Sequence, residues 1–168
     1  MQLYNPVHNM LCRFVQTLVW DREDAKDVIS ETVLITFENL DKIRDDVAFL
    51  SYLFSVASNV VNKKLRRKKF WGLFPSAELI NKAGNNNADD KLLRYELNRA
   101  LQKLPQKQRE AIVYYEISGL TMEHIAEIQQ QSVSGVKTNI HRARKALAKL
   151  LEHDEITTVQ KMKGVWYE

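Results

Sequence analysis

Three groups of residues in this chain could do chemistry, and all three suit the binding of charged polymers better than the breaking of bonds. Near the C-terminal end, Ser134, Lys137, Thr138, His141, Arg142 and Lys145 recur at spacings of three and four, which places them on one face of a helix. No Asp or Glu occurs between Glu127 and Glu152, so acid does not interrupt that face. A second group is the run Lys63, Lys64, Leu65, Arg66, Arg67, Lys68, Lys69, with six positive charges in seven positions. Tyr52, Phe54, Asn59 and Asn62 precede it and supply stacking and hydrogen-bonding groups. A self-repelling, solvated charge run is one reading; a polyanion that compensates it is the other. The third group is acidic: Asp24, Asp27, Glu31 and Glu38 fall on one face of a helical segment, away from its apolar stripe, and by themselves read as a solvated face.

Enzymatic chemistry has no comparable signal. There is no nucleophile motif, no Gly-rich phosphate loop and no metal cluster, so neither catalysis nor a cofactor is expected. The four His stand apart at positions 8, 124, 141 and 153, without metal-ligand spacing. Cys12 is the single cysteine, which excludes an internal disulfide and a Cys-based zinc site; it sits in an apolar run and is expected to be buried. No apolar stretch approaches the ~20 residues of a membrane span, and the N-terminus lacks a basic segment followed by an apolar core. A cytoplasmic protein is expected.

The elements that must position these groups are helices. With 168 residues, five Gly and three Pro, the chain is too poor in turn formers for a β-sandwich. Pro6 and the set Met10, Leu11, Phe14, Val15, Leu18, Val19 predict a first helix. Asp21 reads as the cap of a second, whose inward stripe is Ala25, Val28, Ile29, Thr32, Thr36 and Phe37. A polar loop, Asp41 to Val47, leads to a third helix from about Ala48, with Phe49, Leu53, Val56, Ala57 and Val60 inward. From Trp71 to Asp90 the pattern dissolves around Gly72, Pro75, Gly84 and Asn85–Asn87, although Ala77 to Ala83 could form a turn or two. Beyond it, Leu92, Leu93, Leu97, Ala100, Leu101 and Leu104 make a helix that stops before Pro105. Ala111, Ile112, Tyr115 and Tyr114 face inward on the next, which Gly119 closes. Thr121 caps a short helix carrying Met122, Ile125, Ala126 and Ile128, and Ser132 caps the last, with Val133, Val136, Ile140, Ala143, Leu147 and Leu150 inward. A short helix, a tight turn and a helix with a basic face form a helix-turn-helix, the geometry that enters a major groove. The expected fold is therefore all-α: two small helical domains joined by a flexible linker, the second a helix-turn-helix domain.

Both halves resemble a known family. DREDAKDVISETVLITFENL followed by FLSYLFSVASNVVNKKLRRKK resembles region 2 of the extracytoplasmic-function (ECF) group of sigma-70 RNA polymerase sigma factors. LQKLPQKQREAIVYYEISGLTMEHIAEI with SVSGVKTNIHRARKAL resembles their region 4. The resemblance spans about residues 5–152 and implies residues 1–70 as region 2, 71–90 as linker, 91–152 as region 4 and 153–168 as a tail outside it. It implies a bacterial transcription initiation factor, with core RNA polymerase (clamp coiled coil and flap), promoter DNA and an anti-sigma factor as partners and no membrane insertion. Asp24, Asp27, Ser30 and Glu31 match the positions that grip the clamp, Ser30 standing where the family usually has Gln. Tyr52, Asn59, Lys63, Lys64, Arg66 and Arg67 match the −10 contacts; Tyr52 replaces a common Trp and reads equally as a core aromatic. Ser134, Lys137, Thr138, Asn139, His141 and Arg142 match the −35 contacts, with Asn139 in place of a common Arg. Gln129, Gln130 and Gln131 replace a Leu-Gly-apolar turn, which predicts a looser or differently capped turn. A stand-alone regulator using the same helix-turn-helix, or a sigma-like adaptor inactive in initiation, would share much of this pattern.

Overall fold

The computed structural model describes residues 4–43, 45–72 and 88–151. Among them are seven α-helices, one 3-10 turn and no strand, as the composition predicts. The helices are α1 (Tyr4–Leu18), α2 (Arg22–Glu38), α3 (Asp46–Trp71), α4 (Ala88–Gln102), α5 (Gln106–Glu116), α6 (Met122–Ile128) and α7 (Val133–Leu150).

Helix starts follow local chemistry. The side chains of Asp21, Thr121 and Ser132 accept hydrogen bonds from the backbone N–H of Asp24 (2.8 Å), His124 (3.3 Å) and Gly135 (3.1 Å). Each satisfies a donor that the helix itself leaves unpaired. Asp45 does the same for Ala48 at 2.8 Å, so α3 begins at Asp46 and two residues of the expected 41–47 loop are helical. A 3-10 turn, Leu40–Lys42, occupies the other end of that loop. α3 continues through the basic run to Trp71, where Gly72 turns left-handed (φ 63°) and ends it. The expected linker, 71–90, is thus helical at both edges, at Trp71 and from Ala88 onward. The turns expected at Ala77 to Ala83, and the tail from 153, lie outside the described residues.

The N-terminal unit packs α1, α2 and α3 on one another. Thr32 and Thr36 are buried in it, and their hydroxyls donate to the carbonyls of Val28 (2.7 Å) and Thr32 (2.8 Å), so neither buried group is orphaned. In the C-terminal unit α5 and α6 both pack on α7. Val133 and Leu150, expected inward, are exposed at the two ends of α7. Cys12, expected buried, is half-buried, with Sγ 3.5 Å from Nε2 of His8; burial pushes its thiol pKa up.

The two units are not separate bodies here. α3 lies against α6, and α1 against α4 and α5. One apolar cluster runs through both, with Leu11, Phe14, Leu53 and Phe54 meeting Leu101, Ile112, Tyr114 and Ile117. Tyr114 is its centre: fully buried, stacked on Phe14 (4.5 Å, 15°) and edge-on to Phe54 (5.6 Å, 87°). Covering such a side chain is worth roughly 1.5–3 kcal/mol, and each aromatic pair adds about 0.5–1.5 kcal/mol. Tyr115, expected inward beside it, is half-buried with the Arg144 guanidinium 5.8 Å from its ring centre.

Candidate functional site

α7 presents the clearest surface. Ser134, Lys137, Thr138, His141, Arg142 and Lys145 are all exposed, and they follow one another along one side of the helix. The buried set Val136, Ile140, Ala143 and Leu147 holds the opposite side against α5 and α6, so the exposed face is fixed in orientation. Thr138 donates its hydroxyl proton to the Ser134 carbonyl (2.9 Å), which leaves the Thr138 oxygen available as an acceptor. Asn139 sits apart from this face: it is half-buried and donates to Oε1 of Gln131 (3.2 Å).

That bond belongs to the turn between α6 and α7, which is well tied rather than loose. Gln130 takes the left-handed conformation (φ 49°), which ordinarily favours Gly. Gln129 is buried and donates from Nε2 to the Lys107 carbonyl (3.0 Å), while Lys107 Nζ returns a bond to the Gln129 carbonyl (3.3 Å). Gln131 donates to Gln129 Oε1 (2.5 Å). The three glutamines therefore replace one glycine's freedom with a side-chain network that anchors the turn to α5.

The acidic face of α2 and the basic end of α3 face each other. Lys64 pairs with Asp24 (2.6 Å) and Asp27 (3.9 Å), Lys68 also pairs with Asp24, and Lys63 lies 3.7 Å from Glu31. Partial burial would raise the Asp24 carboxyl, but hydrogen bonds and charge from Lys64 and Lys68 outweigh it and hold the pKa below the ordinary value. Asp27, Ser30 and Glu31 are exposed, so the Lys63–Glu31 pair is worth about 0–1 kcal/mol and exchanges readily for another partner. Sequence reasoning places these acids and bases in two different sites; the structure brings them into one strip. Lys68, which bridges it, is in the sequence only one member of the basic run. Arg66 and Arg67 are exposed beyond it, as are Phe70 and Trp71 at the end of α3.

Of the aromatic and amide groups ahead of the run, Asn59 is exposed and Tyr52 is half-buried against the core. Phe54 and Asn62 are buried between the units, which removes them from any surface in this arrangement. Asn62 belongs to a polar cluster that sequence reasoning missed. The Glu110 carboxylate on α5 accepts from Ser58 Oγ (2.7 Å) and Asn62 Nδ2 (2.5 Å) of α3. Arg109 donates to Asn62 Oδ1 (2.8 Å) and to Gln102 Oε1 (3.3 Å). Tyr114 Oη donates to the Phe54 carbonyl (3.2 Å); burial, together with the Glu110 charge, pushes its phenol well above the ordinary range. Ser51 donates to Glu127 (2.5 Å) across the α3–α6 contact, and Asn98 and Gln102 donate to the last carbonyls of α1. The one available signal is Arg109–Glu110 itself, a charged pair directly before the apolar run Ala111, Ile112, Val113 on the same helix.

No described helix is long and apolar enough to cross a membrane. Comparison with known proteins places this geometry in a family. The Sigma-70 region 2 model matches residues 3–70, and the Sigma-70 region 4 model matches residues 94–147. The chain is 30% identical to the ECF RNA polymerase sigma factor SigW of Bacillus subtilis, over 76% of this chain and 75% of that one. It is 31% identical to the ECF RNA polymerase sigma-E factor of Salmonella typhimurium, over 74% and 72%. Among solved structures, CnrH in complex with the cytosolic domain of CnrY is similar with a TM-score of 0.70 and 26% identity, covering 90% of this chain and 86% of that one. The sigma factor RpoE of Bartonella quintana, bound to the anti-sigma factor NepR, shares the fold with a TM-score of 0.64 at 24% identity, over 90% and 95%. Matched in both regions, in order, this chain belongs to the sigma-70 family of RNA polymerase sigma factors, within its ECF group.

Proposed function

We propose that this protein binds core RNA polymerase and directs it to specific promoters, its first unit recognising and melting the −10 element and its second reading the −35 element. The observation that carries this reading is the acid-free exposed face of α7, held rigidly by a capped helix-turn-helix in the half that matches region 4. Ser134, Lys137, Thr138, His141 and Arg142 contact the −35 duplex, the first turn toward base edges and the later cations toward phosphates. Asn139 supports the turn from the side. Tyr52, Asn59, Lys63, Lys64, Arg66 and Arg67 serve the −10 strand, and Asp24, Asp27, Ser30 and Glu31 grip the polymerase clamp. Residues 1–70, 71–90, 91–152 and 153–168 are the working division into region 2, linker, region 4 and tail. The chain itself carries out no catalysis, and it acts in the cytoplasm.

This role requires the two units to part. Elements named −10 and −35 lie about 25 base pairs apart, roughly 85 Å at 3.4 Å per pair. Units joined through Tyr114 and Glu110 cannot reach both. The stretch between Gly72 and Ala88 spans at most about 55 Å when extended, enough to let them separate along the polymerase surface. The packed arrangement is thus a free or sequestered form. An anti-sigma factor fits it, as the solved relatives carry such a partner or a cytosolic domain in complex. The flap of polymerase is the docking point for the second unit once it is released.

Gel filtration with core polymerase tests the proposal. The intact chain co-elutes with core, and Asp27→Lys with Glu31→Lys abolishes co-elution while duplex binding by the second unit persists. Failure of the intact chain to co-elute, with duplex binding retained, would reveal a stand-alone regulator instead.

A further inference from the structure

Beside the polar cluster lies a cavity of about 530 Å³ whose walls come from both units: the α1–α2 turn and the end of α3 on one side, α4 and α5 on the other. Its described lining holds basic side chains from three helices, among them Arg66, Lys69, Arg99, Lys103 and Arg109, and no carboxylate. Lys64 and Lys68 at its edge turn toward Asp24, but Arg66, Lys69, Arg99 and Lys103 make no ion pair with a described residue. Trp20 and Tyr95 meet edge-to-face (5.7 Å, 79°) and form an aromatic wall. Arg109 is more than nine-tenths buried, and its Nε–H has no partner. Burial lowers the guanidinium's pKa and the Glu110 charge raises it again, so this cation is only partly compensated from within the chain.

A cluster of like charge around a concave space is costly unless anions enter it. The cavity is too small for a duplex and has the volume of a single nucleotide with room for water. We propose that it binds a nucleoside polyphosphate, the phosphates held by Arg99, Lys103, Arg66 and Lys69 with the Arg109 guanidinium adding positive charge from the cavity wall, the ring lying on the Trp20–Tyr95 wall. Guanidinium groups favour such phosphates through forked, charge-assisted hydrogen bonds. A ligand seated there bridges α3 to α4 and α5, so it holds the two units together. Occupancy of the cavity does not depend on the promoter reading, and it is measured without polymerase or DNA.

Isothermal titration of the full chain with ATP, GTP, inorganic tripolyphosphate and a short oligothymidylate provides the test. ATP or GTP binds with one-to-one stoichiometry, more tightly than tripolyphosphate, and raises the melting temperature. Arg99→Ala with Lys103→Ala weakens that binding on the order of tenfold or more, as the loss of two charge-assisted contacts requires, while co-elution with core polymerase stays unchanged. Absence of saturable nucleotide binding overturns the site. So does binding that survives Arg99→Ala/Lys103→Ala but disappears with Lys137→Ala/Arg142→Ala, which would place the anion on the helix-turn-helix. Equal affinity for tripolyphosphate overturns the role of the aromatic wall. Tighter binding of the oligothymidylate, lost in Arg99→Ala/Lys103→Ala, would make the cavity a strand-binding groove instead.

Discussion

Glu110→Ala should open the molecule rather than simply melt it. The carboxylate accepts two hydrogen bonds, from Ser58 and Asn62, and both donors sit on the other unit. Bonds to a charged acceptor contribute about 1.5–3 kcal/mol each. Some of that is recovered in the variant, because Asn62 keeps its bond to the Ser58 carbonyl at 2.8 Å and the Ser58 hydroxyl can turn to its own helix. About 3 kcal/mol of lost inter-unit contact is a reasonable balance. At 1.4 kcal/mol per tenfold, that is on the order of a hundredfold shift toward separated units. Fluorescence energy transfer between dyes at Gln16→Cys on α1 and Lys149→Cys on α7, in a Cys12→Ser background, reads the distance directly. Transfer falls markedly in Glu110→Ala and less in Glu110→Gln, whose amide oxygen still accepts. Unchanged transfer with a lower melting temperature would show that Glu110 stabilises its own unit, and the reasoning would fail. A double-mutant cycle between Asn62 and Glu110 gives the pairwise part, with little coupling as the contrary result.

Other consequences follow from single features. Gln130→Gly removes a left-handed strain of about 1 kcal/mol or more but adds about 0.4–1 kcal/mol of unfolded-state freedom, so thermal melting should show a gain of up to ~1 kcal/mol; a destabilised variant would mean that the Gln130 side chain itself holds the turn. Asp24 has a folded pKa below its ordinary 3.8, so its contribution to stability is present above that pH and is lost as pH falls through the lower folded value. Asp24→Asn should therefore flatten the acid limb of a stability-versus-pH curve, and an unchanged limb would remove Lys64 and Lys68 from the account. Arg142→Ala should weaken −35 duplex binding by roughly 1–3 kcal/mol if it reads a base, or lower the salt dependence by about one phosphate if it contacts the backbone. Binding unaltered in both respects would place the groove contact elsewhere.

What was legible in the sequence was local. The caps at Asp21, Thr121 and Ser132, the Gly119 stop (φ 71°) and the exposed basic side of α7 depend on neighbours within a few residues, and spacing alone reveals them. What escaped was long-range. Tyr114 and Tyr115 are adjacent on a helix, and only the presence of Phe14 and Phe54, about a hundred and about sixty residues earlier in the chain, decides which of them is core. Asn62 looked like a surface amide beside a charge run; its partners Arg109 and Glu110 lie almost fifty residues away. The acids of α2 and bases of α3 were each legible as a charged face, but not their mutual pairing, since a helical period says nothing about which faces meet. The α6–α7 turn is the intermediate case. The missing glycine was visible, while the Gln129–Lys107 exchange that compensates for it was not.

Run-off transcription with core polymerase on a genomic template library tests the central claim most directly. Added to core, the intact chain should yield discrete transcripts whose start sites share two upstream elements, and Asp27→Lys with Glu31→Lys should abolish them. Core that is active with another initiator but gives no specific transcript with this chain would contradict the assignment.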